Sequence, residues 1–176
     1  YVVVRQGTTR VWTALQNGKY PDASSGVELL APILAARTLR MGTYGDPAAI
    51  PVAVWRSLLP LCKQWIGYTH QWHMEVAQPL KEFCMASVDN PTEKAVANVR
   101  GWRTFRVRLH NEPILQAEAI CPASEEAGHK LQCVQCRACD GRGSGKRGNI
   151  AIVVHGAKGP HQPIQRFNRY RGATAA

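Results

Sequence analysis

Long apolar runs are missing from this 176-residue chain. The most apolar stretches, such as Val27 to Ala36 and Ile150 to Val154, fall well short of the roughly 20 residues that a bilayer crossing needs. A secretory signal is missing as well. So is an initiator Met: the chain opens at Tyr1 and runs straight into Val2-Val3-Val4, which leads us to expect residues upstream of this sequence. Acidic residues are few, 12 against 22 Lys and Arg, for a net charge of +10. From Arg137 onward, eight basic residues face Asp140 alone, so the C-terminal end attracts polyanions, with nucleic acid or a nucleotide the expected partner. What is present, 45% hydrophobic and 19% charged residues, describes one ordinary globular domain and excludes disorder throughout.

Six cysteines occur, and four of them, Cys121, Cys133, Cys136 and Cys139, are bunched as C-x11-C-x2-C-x2-C. Disulfides within the tight triplet close very small loops and leave a thiol over, so metal ligation is the better reading, with a reducing cytoplasm as the compartment. Thiolates two residues apart turn toward a common centre, and a fourth from a preceding strand end closes a four-sulfur cage. The spacing favours an iron–sulfur cluster (4Fe-4S) over zinc, because structural zinc more often divides its ligands into two separated pairs. His129 is an alternative to Cys121 in a zinc site. Cys62 and Cys84 sit among apolar neighbours and read as core thiols.

Short strand-type runs alternate with helical segments, the pattern of parallel βα architectures, and predict a partial or distorted TIM-like barrel. The expected strands are Val2–Arg5, Leu39–Thr43, Ile66–Thr69, Phe83–Val88, Thr104–Arg108, Ala117–Ile120 and Ile150–Val154. Expected helices are Thr9–Asn17, stopped by Gly18, Val27–Arg37, interrupted by Pro32, and one opening at Pro51 and kinked at Pro60. The best-signalled helix is Pro91–Val99, with Asn90 as N-cap, Glu93 completing a capping box and Gly101 past its end. Residues 1–156 form the βα domain, with the metal loop at 121–148, and residues 157–176 read as a flexible basic tail.

Loops at the C-terminal ends of parallel strands hold the chemistry in such folds. Polar residues stand there: Tyr44 and Asp46 after the second expected strand, His70 and Gln71 after the third, Asp89 after the fourth, Arg106 and Arg108 on the fifth, and His155 after the seventh. Asp46, His70 and Asp89 are the candidates for catalysis; Tyr44, Gln71, Arg106, Arg108 and His155 are those for binding a ligand. Duller roles stand beside these: Asp89 as support for the helix start, Asp46 as a turn residue, His70 as a structural imidazole, and the two arginines on a wet strand face. Arg142, Lys146, Arg147, Arg166 and Arg169 are the candidates for nucleic-acid contact, as in a zinc-stabilised binding module without catalysis.

Several segments carry a resemblance: Tyr44-Gly45-Asp46-Pro47-Ala48-Ala49, Gly67-Tyr68-Thr69-His70-Gln71-Trp72, Met85-Ala86-Ser87-Val88-Asp89, Gly101 to Val107, and Cys121-Pro122-Ala123-Ser124 with the triplet after it. Together, over about Tyr1 to Gly156, they resemble an uncharacterised family of phage and bacterial proteins whose members carry no assigned function. The resemblance implies further cysteines upstream, in an arrangement loosely similar to phage proteins related to radical S-adenosylmethionine enzymes. It then implies an auxiliary role for the four cysteines here, because the Cys-x3-Cys-x2-Cys signature of radical enzymes does not occur in this chain.

Overall fold

The computed structural model describes residues 7–128, 131–141, 148–154 and 162–174; within the last stretch, nothing is described for the side chains of 162, 163, 166, 170, 173 and 174. The expected strand Val2–Arg5, and the candidates His129, His155, Arg142, Lys146 and Arg147, lie outside the described residues.

Six strands, β1 (Thr38–Met41), β2 (Gln64–Thr69), β3 (Met85–Val88), β4 (Thr104–Arg108), β5 (Glu118–Ile120) and β6 (Asn149–Val153), form one all-parallel sheet in the order β1-β2-β3-β4-β6-β5. The architecture is therefore α/β, as the alternation of runs implies. The sheet is not closed, and the TIM-like barrel is corrected to an open sheet edged, among the described residues, by β1 and β5. The reason is a reversal of winding. The chain advances one place at a time to β4, steps past a place to reach β5, and returns to fill the gap with β6. A barrel needs the chain to keep moving in one direction.

Because parallel crossovers are right-handed, a reversal of direction sends the connection to the opposite face. The two cores follow this rule. One face is sealed by Trp55 of α3 (Val52–Leu58) and Leu59 of the turn after it, by Ala77 and Leu80 from the β2–β3 connection, and by Ala97 of α4 (Pro91–Val99). They pack on Met41, Ala86 and Val88. The other face gathers Ile66, Met85, Val107, Ile150 and Ile152 with Cys121, Cys139 and Phe167. Alternate residues of one strand serve different cores, as the two-residue period requires: Met85 enters the second, Ala86 the first. β3 is buried at every position because both of its faces are covered.

Local signals explain most boundaries. The Asn90 side chain accepts from the Glu93 amide at 2.9 Å, Glu93 Oε2 accepts from the Asp89 amide at 2.9 Å, and Gly101, at φ +79°, ends the turn beyond α4. α1 (Gly7–Gln16) stops before Gly18. The helix expected over Val27–Arg37 is split into a 3₁₀ turn, Val27–Leu30, and a single α turn, α2 (Ala31–Leu34), around Pro32. The tail is corrected too. Residues Gln162–Thr174 form a helix, and its Phe167 is 0% exposed, packed into the second core.

Candidate metal centre and polar rim

The second core contains the cysteine quartet. A one-turn helix, α5 (Cys133–Cys136), places Cys133 and Cys136 three residues apart on one side, and a reciprocal capping box between Gln132 and Gln135 holds that turn. Arg137 then adopts a left-handed conformation, φ 54°, which reverses the chain and brings Cys139 back. Cys121 arrives from the other side, carried by the end of β5, where its amide donates to Ala151 O at 2.8 Å and continues the ladder. All four cysteines line one cavity of about 20 Å³, walled by Ile66, Tyr68 and Ile150 of the sheet. Among the described residues, no three His, Cys, Asp or Glu side chains already stand in metal-holding geometry. None of the six cysteines forms a disulfide. Burial pushes the Cys139 thiol up to about 12, eased by the neighbouring Tyr68 hydroxyl, and burial raises Cys121 as well.

The segment behind the triplet is wedged into the sheet. Gly67 N donates to Cys139 O at 3.0 Å and Trp65 Nε1 to Asp140 O at 3.3 Å, while Gln64 Nε2 donates to Val134 O. Arg103 completes the clasp, donating to Ala138 O at 2.7 Å and Gly148 O at 3.0 Å and pairing with Asp140 at 3.4 Å. Gly141, at φ +76°, lies so close to the backbone of Phe83 and Cys84 that a Cβ has no room. These bonds run to β2, to the start of β4 and to the entry of β6, so the loop spans the sheet.

At the C-terminal rim the candidates divide. Asp46 is a strut: Oδ1 accepts from Thr69 Oγ1 at 2.6 Å and Ala48 N at 2.9 Å, and Oδ2 from His70 N at 2.8 Å. His70 lies within the fields of Asp46 and Glu93; loss of hydration at the packed rim lowers its pKa, although both carboxylates pull it up. Gln71 caps the same corner through its amide, donating to Thr69 Oγ1 at 3.0 Å, whereas the exposed Tyr44 packs its hydroxyl on Gly7 of α1.

Arg106 and Arg108, expected to bind an anion, are corrected to internal ion pairs. Arg106, 1% exposed, grips Glu118 with two bonds of 2.8 Å and donates to Pro113 O at 2.8 Å. Burial pushes the Glu118 carboxyl up, but those bonds from Arg106 hold it below the ordinary range. Arg108 pairs with Glu126 and donates to Glu112 O at 2.8 Å.

Asp89 differs from all of these. It is 4% exposed, and among the described residues its buried Oδ1 has no hydrogen-bond partner. Burial, then Glu93, push its carboxyl up to about 6, against the pull of Arg171. Arg171 itself comes from the C-terminal helix, bonded to Glu112 at 2.7 Å. That helix, α6 (Gln162–Thr174), also carries Arg166 and the exposed Arg169.

Comparisons of the chain with protein-family models, curated proteins and solved structures find no match. No helix among the described residues is long and apolar enough to cross a membrane. Sequence reasoning missed Tyr68 beside Cys139 and Arg171 beside Asp89. The first is recognisable from alternation along β2, which puts Tyr68 on the face of Ile66. The second has no local signal, because only packing brings α6 to the rim.

Proposed function

We propose that this is a metal-binding α/β protein in which Cys121, Cys133, Cys136 and Cys139 hold one metal centre that fastens the β5–β6 crossover to the sheet, leaving the C-terminal strand ends to bind a ligand. One observation carries the reading: four soft donors from two separate segments line a single apolar cavity. The donor set suits zinc or an iron–sulfur cluster. Size separates them. A void of about 20 Å³ has room for one ion, since a single water already needs roughly 10–15 Å³, whereas a four-iron core requires the walls to retreat. Zinc is therefore favoured over the cluster that the spacing alone suggests. A shell of four thiolates leaves no open coordination position, so the centre's part is to fold the crossover, not to bind substrate.

Metal analysis of protein purified without oxygen tests this. About one zinc per chain, lost on Cys136→Ser, is the expected result. A brown sample with several irons per chain makes the centre a cluster; stoichiometric absence of both metals ends the reading.

A second reading, nucleic-acid binding, is favoured by α6, which has no acidic residue and three arginines, on a chain of net charge +10. Phosphate contacts of this kind weaken steeply with salt. Binding to DNA or RNA that is insensitive to salt, or unchanged after Arg166→Gln with Arg169→Gln, rules it out.

A further inference from the structure

The connections that leave β1, β2 and β3 cover one face of the sheet, and the β5–β6 crossover, with Phe167 of α6, covers the other. The strand order reverses at β6, which returns to lie between β4 and β5. Open parallel sheets bind ligands at such a switch point, in the crevice beyond the strand ends. This chain has a hollow there of about 590 Å³, bounded by His110 past β4, by Ile152 and Val154 at the end of β6, and by Ala123, Glu125 and Glu126 after β5. That volume falls within the roughly 300–1,000 Å³ of small-molecule sites.

We propose that this hollow binds a small organic cation, a protonated amine on an apolar or aromatic body. The floor of Ile152 and Val154 suits the body. Two carboxylates stand on the wall of an otherwise basic protein, and they differ. Glu126 is matched by Arg108, while Glu125 has no ion-pair partner among the described residues. Glu125 therefore supplies the charge that selects a cation, and the same charge turns away phosphates and carboxylates. Ala123 is a wall common to this hollow and the cysteine cavity, yet the inference rests on the switch point and the lining, not on a metal.

The test is a titration of the full chain with phenethylamine and, separately, phenylacetate, followed through backbone amide NMR shifts, with metal content measured on the same samples. Phenethylamine is expected to shift residue 110 and the stretches 123–126 and 152–154, with phenylacetate about tenfold weaker. Glu125→Lys, on an exposed loop, is expected to reverse that preference; Glu125→Gln abolishes it. Unchanged amide shifts away from the hollow show that both variants fold. Equal binding of the two probes, shifts centred elsewhere, or a preference that survives both substitutions overturns the proposal. Metal-free protein that still prefers phenethylamine counts against the metal centre alone, and metal-loaded protein without the preference counts against this site alone.

Discussion

On one face of the sheet, Trp55, Trp72 and Trp102 join Leu59 and Leu80 to cover the strands through burial of large side chains; on the other, the β5–β6 crossover brings four thiols and small apolar groups to the same task. Each large side chain fully buried on the first face contributes roughly 1.5–3 kcal/mol. The crossover has no such resource. Its larger apolar residues, Leu131 and Val134, remain exposed. Hydrogen bonds from Gln64, Trp65, Gly67 and Arg103 position it, but bonds of this kind add only about 1 kcal/mol each. A segment with so little to bury needs a different source of free energy, and the thiol cavity supplies a place for one.

The sharpest way to break this comparison is to remove the metal. Chelation, or Cys139→Ser, is expected to destabilise the crossover by up to the order of 10 kcal/mol, as for structural zinc, and so to unfold that face. Leu59→Ala on the first face is expected to cost about 2–5 kcal/mol with or without chelator. Denaturant unfolding with both treatments checks the contrast, and equal chelator sensitivity of the two faces refutes it.

The next effect concerns the sheet edge on which the crossover is mounted. Glu118→Ala strands the Arg106 guanidinium in the interior, and breaking such a pair costs roughly 3–5 kcal/mol. A midpoint shift in urea no larger than that of a surface substitution removes Arg106 from the account of how β5 is held.

The smallest effect lies at the rim. The Asp89 carboxyl titrates near 6 in the folded chain against 3.8 for an ordinary aspartate, so the fold holds this proton more tightly than the unfolded chain does. Stability from this group is complete below about pH 4 and declines as pH rises through 6, by on the order of 3 kcal/mol. Asp89→Asn is therefore expected to raise the melting temperature at pH 7.5 and to match the parent near pH 4. Parallel melting curves across that window show that Asp89 is ordinary.

Elements with their own local chemistry were legible in the sequence. The helix Pro91–Val99 and the strand Thr104–Arg108 coincide with their expected bounds, because an N-cap, a capping box and strict alternation act within a few residues. The tail was not legible: a basic segment opening on Gly and Pro has the composition of a linker, and only Phe167 entering the second core makes it an ordered helix. The rim shows the same divide. Spacing put Asp46, His70 and Asp89 at strand ends, but whether an arginine waits for a ligand or is already spoken for depends on Glu118 and Glu126, more than ten residues further along.

By itself the sequence determined the strands Thr38–Met41 to Asn149–Val153 in outline, the helix Pro91–Val99, the parallel α/β class and the spacing of the cysteines, since these follow from periodicity and short spacings. Tertiary structure alone decided that the sheet stays open, that the arginines are neutralised inside, and that a hollow forms beyond the C-terminal ends of β4, β5 and β6. Those outcomes depend on the order in which strands pair, and pairing joins residues too distant in the chain for any local pattern to record.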